Sequence, residues 1–424
     1  MKVRIEKIVY PGRPLARLEG KTLFTDWGLP GELVEAEIVR TRKDYLEART
    51  TAVLEPSPRR IGPRCGHYRA CSPYQDLDYA AQLEIKESQF REMFLRFLGR
   101  EPPALEVQPS PQVWNYRNKF HLRVLKTASG TEWAYHRPGS RDELVAITDC
   151  ALLSPRLNEL LSLLRSSLGP AGMGAVRELI ARDSLHESQA LLGLVVEGSR
   201  ETELLRAPLL GLDFPLAGVV IFARDRSAGG GLLLRGRDFI REKIAGVVFS
   251  SGLLSFFQVN VPLLETLIAK IRSFVREEKV GRLADLYCGV GAFGIALSGE
   301  VAEVSGVEYS RESFSFLKKN LAENRIGNFT ARRSKSEDAL PGILAGGVDL
   351  LLLDPPRAGL APAALEAIVQ NPPPLLAYVS CNPSTLLRDL KALIPLYRPV
   401  EILLPDFFPH TPHIEACCLL KRSV

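Results

Sequence analysis

Apolar and polar residues alternate in short runs along the first 58 residues, as in VRIEKIVY, ELVEAEIVR and LEARTTAVLE. Alternation with a period of two is typical of a half-buried strand, and Pro11-Gly12 and Pro30-Gly31 are turn signals between the runs. The pattern predicts a small five-stranded β-barrel. The prolines of EPSPRR, which begins at Glu55, cannot continue a strand, and this predicts a linker and a domain boundary near residue 58.

The middle of the chain mixes two periodicities, which predicts an α+β domain over residues 59–255. Leu83, Phe90 and Phe94 recur at helical spacing, whereas several later runs alternate or are apolar throughout. The predicted helices are 75–98, 155–168 and 171–182, and the predicted strands lie within 112–125, 131–147, 192–198, 218–224 and 244–250.

Strands and helices alternate regularly over the last third of the chain, residues 256–424. Its strands are largely apolar, which is the pattern of a parallel sheet with helices on both faces. This predicts a Rossmann-like α/β domain with active residues at the carboxyl ends of the strands. The predicted strands are 282–287, 303–308, 348–354, 375–380, 400–404 and 414–420, and the predicted helices are 262–278, 311–324 and 362–370.

Composition excludes several classes of protein. Of the 424 residues, 46% are hydrophobic and 24% are charged, as in globular domains and unlike disordered or fibrous chains. No apolar signal core opens the sequence, and seven cysteines are too few for a disulfide framework in a chain of this length. We therefore expect a cytoplasmic protein without a membrane segment.

The net charge of +5 arises in the front of the chain, because residues 260–424 hold 18 basic and 18 acidic side chains. A modest basic excess attracts phosphate backbones, although solvated surface charge explains it equally well. Charge alone therefore leaves a nucleic-acid partner open.

A glycine-rich turn follows the first strand of the α/β domain. The segment GVGAFG begins at Gly289, opens a helix, and is followed nineteen residues later by Glu308 at the tip of the next strand. This arrangement binds NAD(P) or S-adenosyl-L-methionine, since the turn approaches the ligand and the carboxylate accepts hydrogen bonds from ribose hydroxyls. Asp285 near the strand end favours the methyl donor. A tight turn with an incidental glutamate is the plainer alternative.

Two further strand ends carry candidate chemistry. Asp354 opens DPPR after four leucines, where the prolines fix the exit and aim the carboxylate into the crevice; a simple helix cap is the alternative. Cys381 lies in SCNP at the end of the following strand. Cysteine in a sheet is usually an inert core residue, but a helix N-terminus or a nearby cation would lower the pKa of this thiol and make it a nucleophile.

The segment HTPHIE places two histidines and a glutamate before the last predicted strand. Glu415 is a candidate general base, because partial burial at a strand edge would tune a carboxylate towards neutral pH. His410, His413 and Glu415 could instead bind a metal, but their spacing is irregular for a metal site.

Five segments of the sequence are similar to segments of one protein family. They are FFQVN (256–260), DLYCGVGAFG (285–294), DPPRAGL (354–360), YVSCNPSTLLRD (378–389) and HTPHIE (410–415). In this order they resemble the RNA uracil-5-methyltransferases, and residues 1–58 are similar to the OB-like TRAM barrel of members of the 23S rRNA type. The resemblance implies three domains: a TRAM barrel over 1–58, a central domain over 59–255 and a class I methyltransferase domain over 256–424.

The resemblance also implies roles for six residues. Cys381 matches the nucleophile that adds to carbon 6 of uracil, and Glu415 matches the base that removes the carbon 5 proton. The matches to the family's S-adenosyl-L-methionine positions are Gln258, Tyr287, Glu308 and Asp354. A further position in the glycine turn, usually Asn in relatives, is Ala292 here, and it is not assigned a role.

The family's iron–sulfur motif is incomplete in this chain. Many relatives bind a four-iron, four-sulfur cluster through C-x5-C-x2-C and a distant cysteine. Cys65, Cys71 and Cys150 match three of these ligands, but Tyr74 stands at the third motif position, and His67 is a conceivable substitute. A cluster is therefore doubtful.

The resemblance implies an RNA partner and a monomer. The 23S rRNA is the favoured substrate, because relatives with a barrel often act on it, and the T-loop uridine of tRNA is the alternative. Two other interpretations remain open. An NAD(P)-dependent oxidoreductase leaves SCNP, DPPR and the barrel unexplained, and the intact pair of Cys381 and Glu415 argues against a non-catalytic RNA-binding protein.

Overall fold

The chain is described by a computed structural model that covers residues 1–128, 130–137, 140, 142–223 and 231–423. These residues form a closed five-stranded barrel, a seven-stranded sheet, a two-stranded hairpin and an eight-stranded sheet. The predicted barrel and the predicted C-terminal α/β fold are confirmed. Among the helices of the described residues, none has the length and apolar character needed to cross a membrane.

The barrel closes in the strand order β1-β2-β3-β5-β4. Burial alternates along its strands, so that Val3, Ile5, Leu23 and Val34 fill the interior while the residues between them face outward. The strands are β1 (Lys2–Val9), β2 (Arg13–Leu18), β3 (Lys21–Thr25), β4 (Leu33–Thr41) and β5 (Tyr45–Glu55).

The segment after the barrel packs with the C-terminal sheet. It contains α1 (Tyr68–Cys71), α2 (Tyr79–Leu98) and β6 (Leu105–Gln108). Phe90 and Phe94 of α2 are fully buried in the core of that sheet, and β6 joins its edge. The predicted domain limits at residues 58 and 255 remain a prediction, and residues 79–108 lie within the C-terminal layer.

The seven-stranded sheet has the order β13-β12-β11-β10-β7-β8-β9, and α3 packs against it. Its elements, with the hairpin, are β7 (Lys119–Thr127), β8 (Gly130–His136), β9 (Leu144–Ile147), α3 (Pro155–Ala175), β10 (Val176–Ser184), β11 (Gln189–Val196), α4 (Ser199–Leu210), β12 (Leu216–Ala223), β13 (Leu232–Gly236), β14 (Ile240–Ile244) and β15 (Val247–Ser251). Residue 224, the end of one predicted strand, lies outside the described residues.

The helix predicted over 171–182 is wrong beyond Ala175. Val176–Ser184 forms β10, which pairs with β7 and β11 in the centre of the sheet and is buried along most of its length. A strand buried on both faces has no alternation, so its apolar pattern does not separate it from a buried helix.

The eight-stranded sheet has the order β18-β17-β16-β19-β20-β22-β21-β6. The first five strands are parallel, and β22 is antiparallel between β20 and β21. Sequence analysis missed β6, β18 and α8. The elements are α5 (Val261–Glu277), β16 (Arg282–Leu286), α6 (Ala292–Leu297), β17 (Glu303–Glu308), α7 (Arg311–Glu323), β18 (Phe329–Arg333), α8 (Ser336–Ala345), β19 (Leu350–Leu353), α9 (Pro362–Gln370), β20 (Leu375–Ser380), α10 (Pro383–Leu393), β21 (Tyr397–Pro405) and β22 (Ala416–Arg422).

Candidate active site

The strand register brings the predicted residues to one edge of the eight-stranded sheet. Parallel β16, β17, β19 and β20 end there, and antiparallel β22 begins there. Ser380 pairs with Ala416, so the residues just outside this pair, Cys381 and Glu415, lie on neighbouring strands. Asp354 follows β19, the strand next to β20 on the other side. Cys381, Glu415 and Asp354 therefore lie together, as predicted.

Cys381 is half-buried between β20 and the start of α10. Both predicted sources of thiolate stabilisation are present, because α10 begins two residues later and the positive charge of Arg357 acts on the thiol. Burial and the charge of Glu415 nevertheless raise the pKa of the thiol, although Arg357 acts to lower it. The expected lowering of this pKa is therefore wrong, since two carboxyl groups and burial outweigh one guanidinium group.

The two carboxyl groups are shifted in the same direction. Burial raises the pKa of Asp354 to about 7. Glu415 is 4% exposed, and burial together with the nearby charge of Asp354 raises its pKa well above the ordinary value, while Arg357 opposes the shift. The expected upward shift at Glu415 is confirmed. Glu415 directly precedes β22, as expected for a carboxylate at the end of a strand.

The DPPRAGL and SCNPSTLLRD segments form one interlocked unit. Asn382 Nδ2 donates to the Arg357 carbonyl at 2.9 Å, and Thr385 Oγ1 donates to the same oxygen at 3.2 Å. Further along α10, Asp389 Oδ2 accepts from Leu360 N at 2.9 Å. These bonds hold the loop after β19 against the N-terminal half of α10, which fixes Arg357 beside Cys381.

Helix α2 holds the segment 406–415 that precedes β22. Lys86 Nζ lies 2.5 Å from Asp406 Oδ1 and donates to the Phe408 carbonyl at 3.0 Å. One turn earlier, Gln82 accepts from His410 N at 2.7 Å and bonds His410 Nδ1 at 3.0 Å. Buried polar side chains on one face of α2 thus fix the segment that ends at Glu415.

The histidines of HTPHIE are not arranged as metal ligands. His410 is 2% exposed, hydrogen-bonded to Gln82 and stacked 3.6 Å from the ring of Trp114. Burial, followed by the charge of Lys86, lowers the pKa of His410 to about 4. Across the described residues there is no group of three or more His, Cys, Asp or Glu side chains that could hold a metal ion.

The glycine turn combines internal packing with open backbone. Asp285 Oδ2 accepts from Gly294 N at 2.8 Å, and a Cβ at Gly294 would lie 2.7 Å from that oxygen. Gly289 has φ +57°, and a Cβ built there would meet nothing within 4 Å. Gly294 is therefore required by packing, whereas the backbone at Gly289 borders free space.

Polar groups of the turn fit an S-adenosyl-L-methionine site. Glu308 Oε2 accepts from Gly289 N at 2.9 Å, which places this carboxylate beside the open backbone. Asp285 Oδ1 is buried without a hydrogen-bond partner, and burial raises the pKa of Asp285 to about 8. Tyr287, with φ +61°, lies at the start of the turn. A carboxylate, an acid and an open glycine backbone can receive hydroxyl and ammonium groups.

Gln258 lies in the segment between β15 and α5 and is 7% exposed. Two residues further on, Asn260 Nδ2 donates to Ser110 Oγ at 2.9 Å and to the Phe407 carbonyl at 3.4 Å. The segment that carries Gln258 therefore adjoins the segment 406–415.

The three cysteines that match the iron–sulfur motif lie near one another, but Tyr74 stands where the fourth cysteine ligand would be. The charges of Cys150 and Cys65 both act on Cys71, and burial raises the pKa of Cys71 to about 11. The Tyr74 hydroxyl instead accepts from Gln89 of α2 at 3.4 Å. A buried phenol held on α2 does not supply a cluster ligand, so the residues present do not fit the four-cysteine cluster.

Sequence analysis missed several residues at the site, including Arg357, Lys86 and Tyr10. Arg357 lies in DPPR, three residues after Asp354, so the sequence position of this arginine could have been used to predict a cation at the site. Lys86 and Tyr10 come from segments about 300 residues or more away from their contacts. No local pattern predicts such contacts.

Two protein families match parts of this chain. A TRAM domain matches residues 1–51, and the family tRNA (Uracil-5-)-methyltransferase matches residues 225–423. The 23S rRNA (uracil(1939)-C(5))-methyltransferase RlmD of Aeromonas hydrophila is 34% identical, over 96% of this chain and 93% of that protein. An uncharacterized RNA methyltransferase of Thermosynechococcus vestitus is 32% identical, over 100% of this chain and 98% of that protein.

A solved structure is similar over the whole chain. The tRNA (uracil-54, C5)-methyltransferase of Pyrococcus abyssi, in complex with S-adenosyl-L-homocysteine, has a TM-score of 0.79 and 26% identity and covers 99% of this chain and 100% of its own. The relatives and the family that match this chain are RNA methyltransferases, so the oxidoreductase interpretation of the glycine turn is wrong. The chain belongs to the S-adenosyl-L-methionine-dependent RNA uracil-5-methyltransferase family.

Proposed function

We propose that this enzyme methylates carbon 5 of one uridine through a transient covalent bond between Cys381 Sγ and carbon 6 of the uracil ring. The pairing of Ser380 with Ala416 carries the proposal, because it sets a thiol and a buried carboxyl group side by side. Arg357 interacts with both groups, and it favours the charged form of each.

The residues of the chain supply the chemistry on the uracil ring. The Cys381 thiolate adds to carbon 6, and the electron pair of the ring double bond moves towards the carbonyl at carbon 4, which makes carbon 5 nucleophilic. S-adenosyl-L-methionine, when bound, supplies the methyl group, and its sulfonium charge favours the thiolate. Glu415 in its ionised form then takes the proton from carbon 5. The carbon–sulfur bond breaks, the ring double bond returns, and Cys381 leaves as thiolate.

Four residues are proposed to hold the methyl donor. Glu308 beside Gly289 would accept from the ribose hydroxyls, and Tyr287 would contact the donor from the start of the turn. Gln258 and Asp354 would complete the site from the segment before α5 and from the end of β19. Asp354 lies close enough to Cys381 for its charge to act on the thiol, so it is also placed to contact the uracil.

We propose 23S rRNA as the substrate and the T-loop of tRNA as the alternative. The name of the Aeromonas relative states uracil 1939 of 23S rRNA, whereas that of the Pyrococcus neighbour states uracil 54 of tRNA. The higher identity to the former, 34% against 26%, supports the ribosomal substrate. The barrel and the basic front of the chain would bind the flanking RNA. The enzyme is proposed to act as a monomer in the cytoplasm.

A thiol-specific experiment tests the mechanism. Cys381→Ala should lower the formation of 5-methyluridine roughly 10³-fold or more, because no other group replaces the nucleophile. Cys418→Ala, which removes a thiol from the interior of β22, should retain activity and serves as the matched control. Unmodified transcripts of 23S rRNA and tRNA are compared by mass spectrometry of the nucleosides. A Cys381→Ala enzyme that methylates at the rate of the unaltered protein contradicts the mechanism.

Trapping separates the two proposed catalytic residues. RNA that contains 5-fluorouridine cannot release a proton from carbon 5, so it should remain bonded to the enzyme on a denaturing gel only when Cys381 is present. Glu415→Gln should form the adduct with ordinary RNA and release it slowly. A Glu415→Gln enzyme with unaltered product release would remove Glu415 from the mechanism.

A further inference from the structure

The first turn of the barrel reaches the catalytic edge of the C-terminal sheet. Tyr10, Pro11 and Gly12 connect β1 to β2, and Gly12 N donates to the Val9 carbonyl at 2.8 Å. A Cβ built on Gly12 would lie 2.5 Å from Cβ of Pro412. The barrel turn therefore packs directly on the segment 406–415 that carries Glu415.

Helix α2 fixes the barrel in this position. Gln89 Nε2 donates to the Ile8 carbonyl at 2.8 Å, and Lys7 Nζ lies 2.7 Å from Glu92 Oε2. Gln89 is buried, so its bond to the end of β1 is protected from solvent. The turn after β1 is thus held by the same helix that holds the segment 406–415 through Lys86.

Tyr10 is the residue of the turn that reaches the nucleophile. Its hydroxyl donates to Asn382 Oδ1 at 3.3 Å, and Asn382 directly follows Cys381. The charges of Arg357 and Cys381 both act on the phenol. Burial raises the pKa of Tyr10, so the hydroxyl keeps its proton and remains a donor at neutral pH. The phenol therefore belongs to the immediate surroundings of the thiol.

Asn382 connects three parts of the site through one amide group. Its Oδ1 accepts from Ser384 N at 3.2 Å, which caps α10, as well as from Tyr10. Its Nδ2 donates to the Arg357 carbonyl at 2.9 Å. Loss of the hydrogen bond from Tyr10 would remove one of the two donors to Asn382 Oδ1 and so weaken the bonds that fix the turn between Cys381 and α10.

Tyr10 also lines a cavity. It has a volume of about 560 Å³ and lies between the barrel, α2 and the first turn of α10. Its walls include Leu15 and Phe24 of the barrel and Phe97 of α2, together with Tyr10 and Ser384. Tyr10 therefore lines this partly aromatic cavity and also hydrogen-bonds the residue that follows the reactive thiol.

We propose that Tyr10 is a substrate-positioning residue, which forms the barrel side of the uracil pocket and aligns the Cys381 turn through Asn382. The inference rests on the proposed function and extends it, because the barrel then takes part in the alignment of the reacting groups as well as in the binding of RNA. The hydrogen bond from Tyr10 to Asn382, the residue after Cys381, and the packing of the barrel turn on Pro412 carry this step.

Two variants of Tyr10 and one control test the inference. Tyr10→Phe removes the hydroxyl and keeps the ring, whereas Tyr10→Ala removes both. Tyr397→Phe is the matched control, because the buried Tyr397 hydroxyl also donates one hydrogen bond, to the Pro373 carbonyl at 2.8 Å, and Tyr397 pairs with Arg422 at the end of β22 away from Glu415. The probes are transcripts of unmodified 23S rRNA and of tRNA, with S-adenosyl-L-methionine labelled in its methyl group.

The readouts separate alignment from RNA binding and from folding. Tyr10→Phe should lower the single-turnover rate at saturating RNA roughly tenfold, the effect of one hydrogen bond, with RNA affinity within about twofold. Tyr10→Ala should lower this rate roughly 100-fold or more and slow adduct formation with 5-fluorouridine RNA to the same extent. Tyr397→Phe should match the rate of the unaltered enzyme, and both Tyr10 variants should keep the thermal unfolding midpoint of the unaltered enzyme.

The outcomes distinguish the inference from the function on which it rests. If the unaltered enzyme methylates one transcript and both Tyr10 variants match it, or lose only RNA affinity, the inference is overturned and the proposed function stands. A loss of rate that tracks a lowered unfolding midpoint also overturns it, because Tyr10 would then be structural. If the unaltered enzyme transfers no methyl group to either transcript, the proposed function fails and the inference fails with it.

Discussion

Removal of Lys86 should loosen the segment that carries Glu415. The side chains of Lys86 and Asp406 are 4% and 1% exposed, and Nζ lies 2.5 Å from Oδ1. Lys86→Met keeps the length and the apolar stem of the side chain but leaves a buried carboxylate without its cation. Breaking such a pair by removing one partner costs about 3–5 kcal/mol. The Phe408 carbonyl also loses a donor, at a further cost of about 1 kcal/mol.

The effect should be local, because the pair joins α2 to one segment. An opening free energy that falls by about 3–5 kcal/mol increases the exchange rate of amides released by that opening roughly 10²- to 5 × 10³-fold. Hydrogen exchange followed by mass spectrometry measures this rate separately in peptides from α2, from 406–415 and from the seven-stranded sheet. The first two should exchange faster, and the third should not change.

Two further variants control the experiment. Lys7→Met breaks an exposed ion pair between β1 and Glu92, which lies on α2 like Lys86. The two side chains of this pair are 47% and 51% exposed, so its loss should cost less than about 1 kcal/mol. Lys86→Met combined with Asp406→Leu removes both buried charges and should recover most of the loss. If Lys86→Met costs no more than Lys7→Met, or if the double variant is as mobile as the single one, the reasoning is refuted.

Three other predictions concern charge and packing at the site. Arg357→Gln removes a cation that lowers the pKa of Cys381, so this pKa should rise further. The rates of methylation and of iodoacetamide alkylation should therefore fall at neutral pH and recover as the pH is raised. An unchanged pH profile would refute this. Burial raises the pKa of Asp285 to about 8 in the folded protein, so the contribution of this carboxyl group to stability is complete below about pH 4 and is lost as the pH rises through 8. Asp285→Asn should therefore flatten the decline of the unfolding midpoint between pH 5 and pH 8. An equally steep decline in the variant would contradict the shift. Gly12→Ala places a Cβ 2.5 Å from Pro412 at φ +94° and should destabilise the barrel contact by about 1–2 kcal/mol or more, seen as faster exchange in 406–415, whereas unaltered exchange would show that the turn does not pack there.

The fold was predicted where each element shows its own pattern. The barrel alternates with a period of two, and the strands that end at Leu353 and Ser380 are apolar runs followed by proline-containing exits. Val176–Ser184 was misassigned because a strand buried on both faces lacks alternation. Strand β6 could not be predicted, because four residues that pair with β21 almost 300 residues later carry no local signal of that partner.

The residues of the site could be predicted from the strand pattern, whereas their electrostatic environment could not. Parallel strands share one edge, so residues that follow them, such as Asp354 and Cys381, are expected to meet. The environment of the thiol depends on groups that come from other segments. Burial and the charge of Glu415 reversed the predicted direction of the Cys381 pKa, and they follow from three-dimensional packing rather than from the motif.

The position of β6 has a consequence for the architecture of the enzyme. A continuous fragment that begins at residue 256 would lack β6 and α2, which exposes the edge of β21 and the apolar surface that Phe90 and Phe94 cover. Along the chain, the strands of the seven-stranded sheet thus lie between β6 and the other strands of the eight-stranded sheet. Excising those strands and rejoining the chain near residues 108 and 255 would be a better route to a minimal catalytic unit than truncation from the N-terminus.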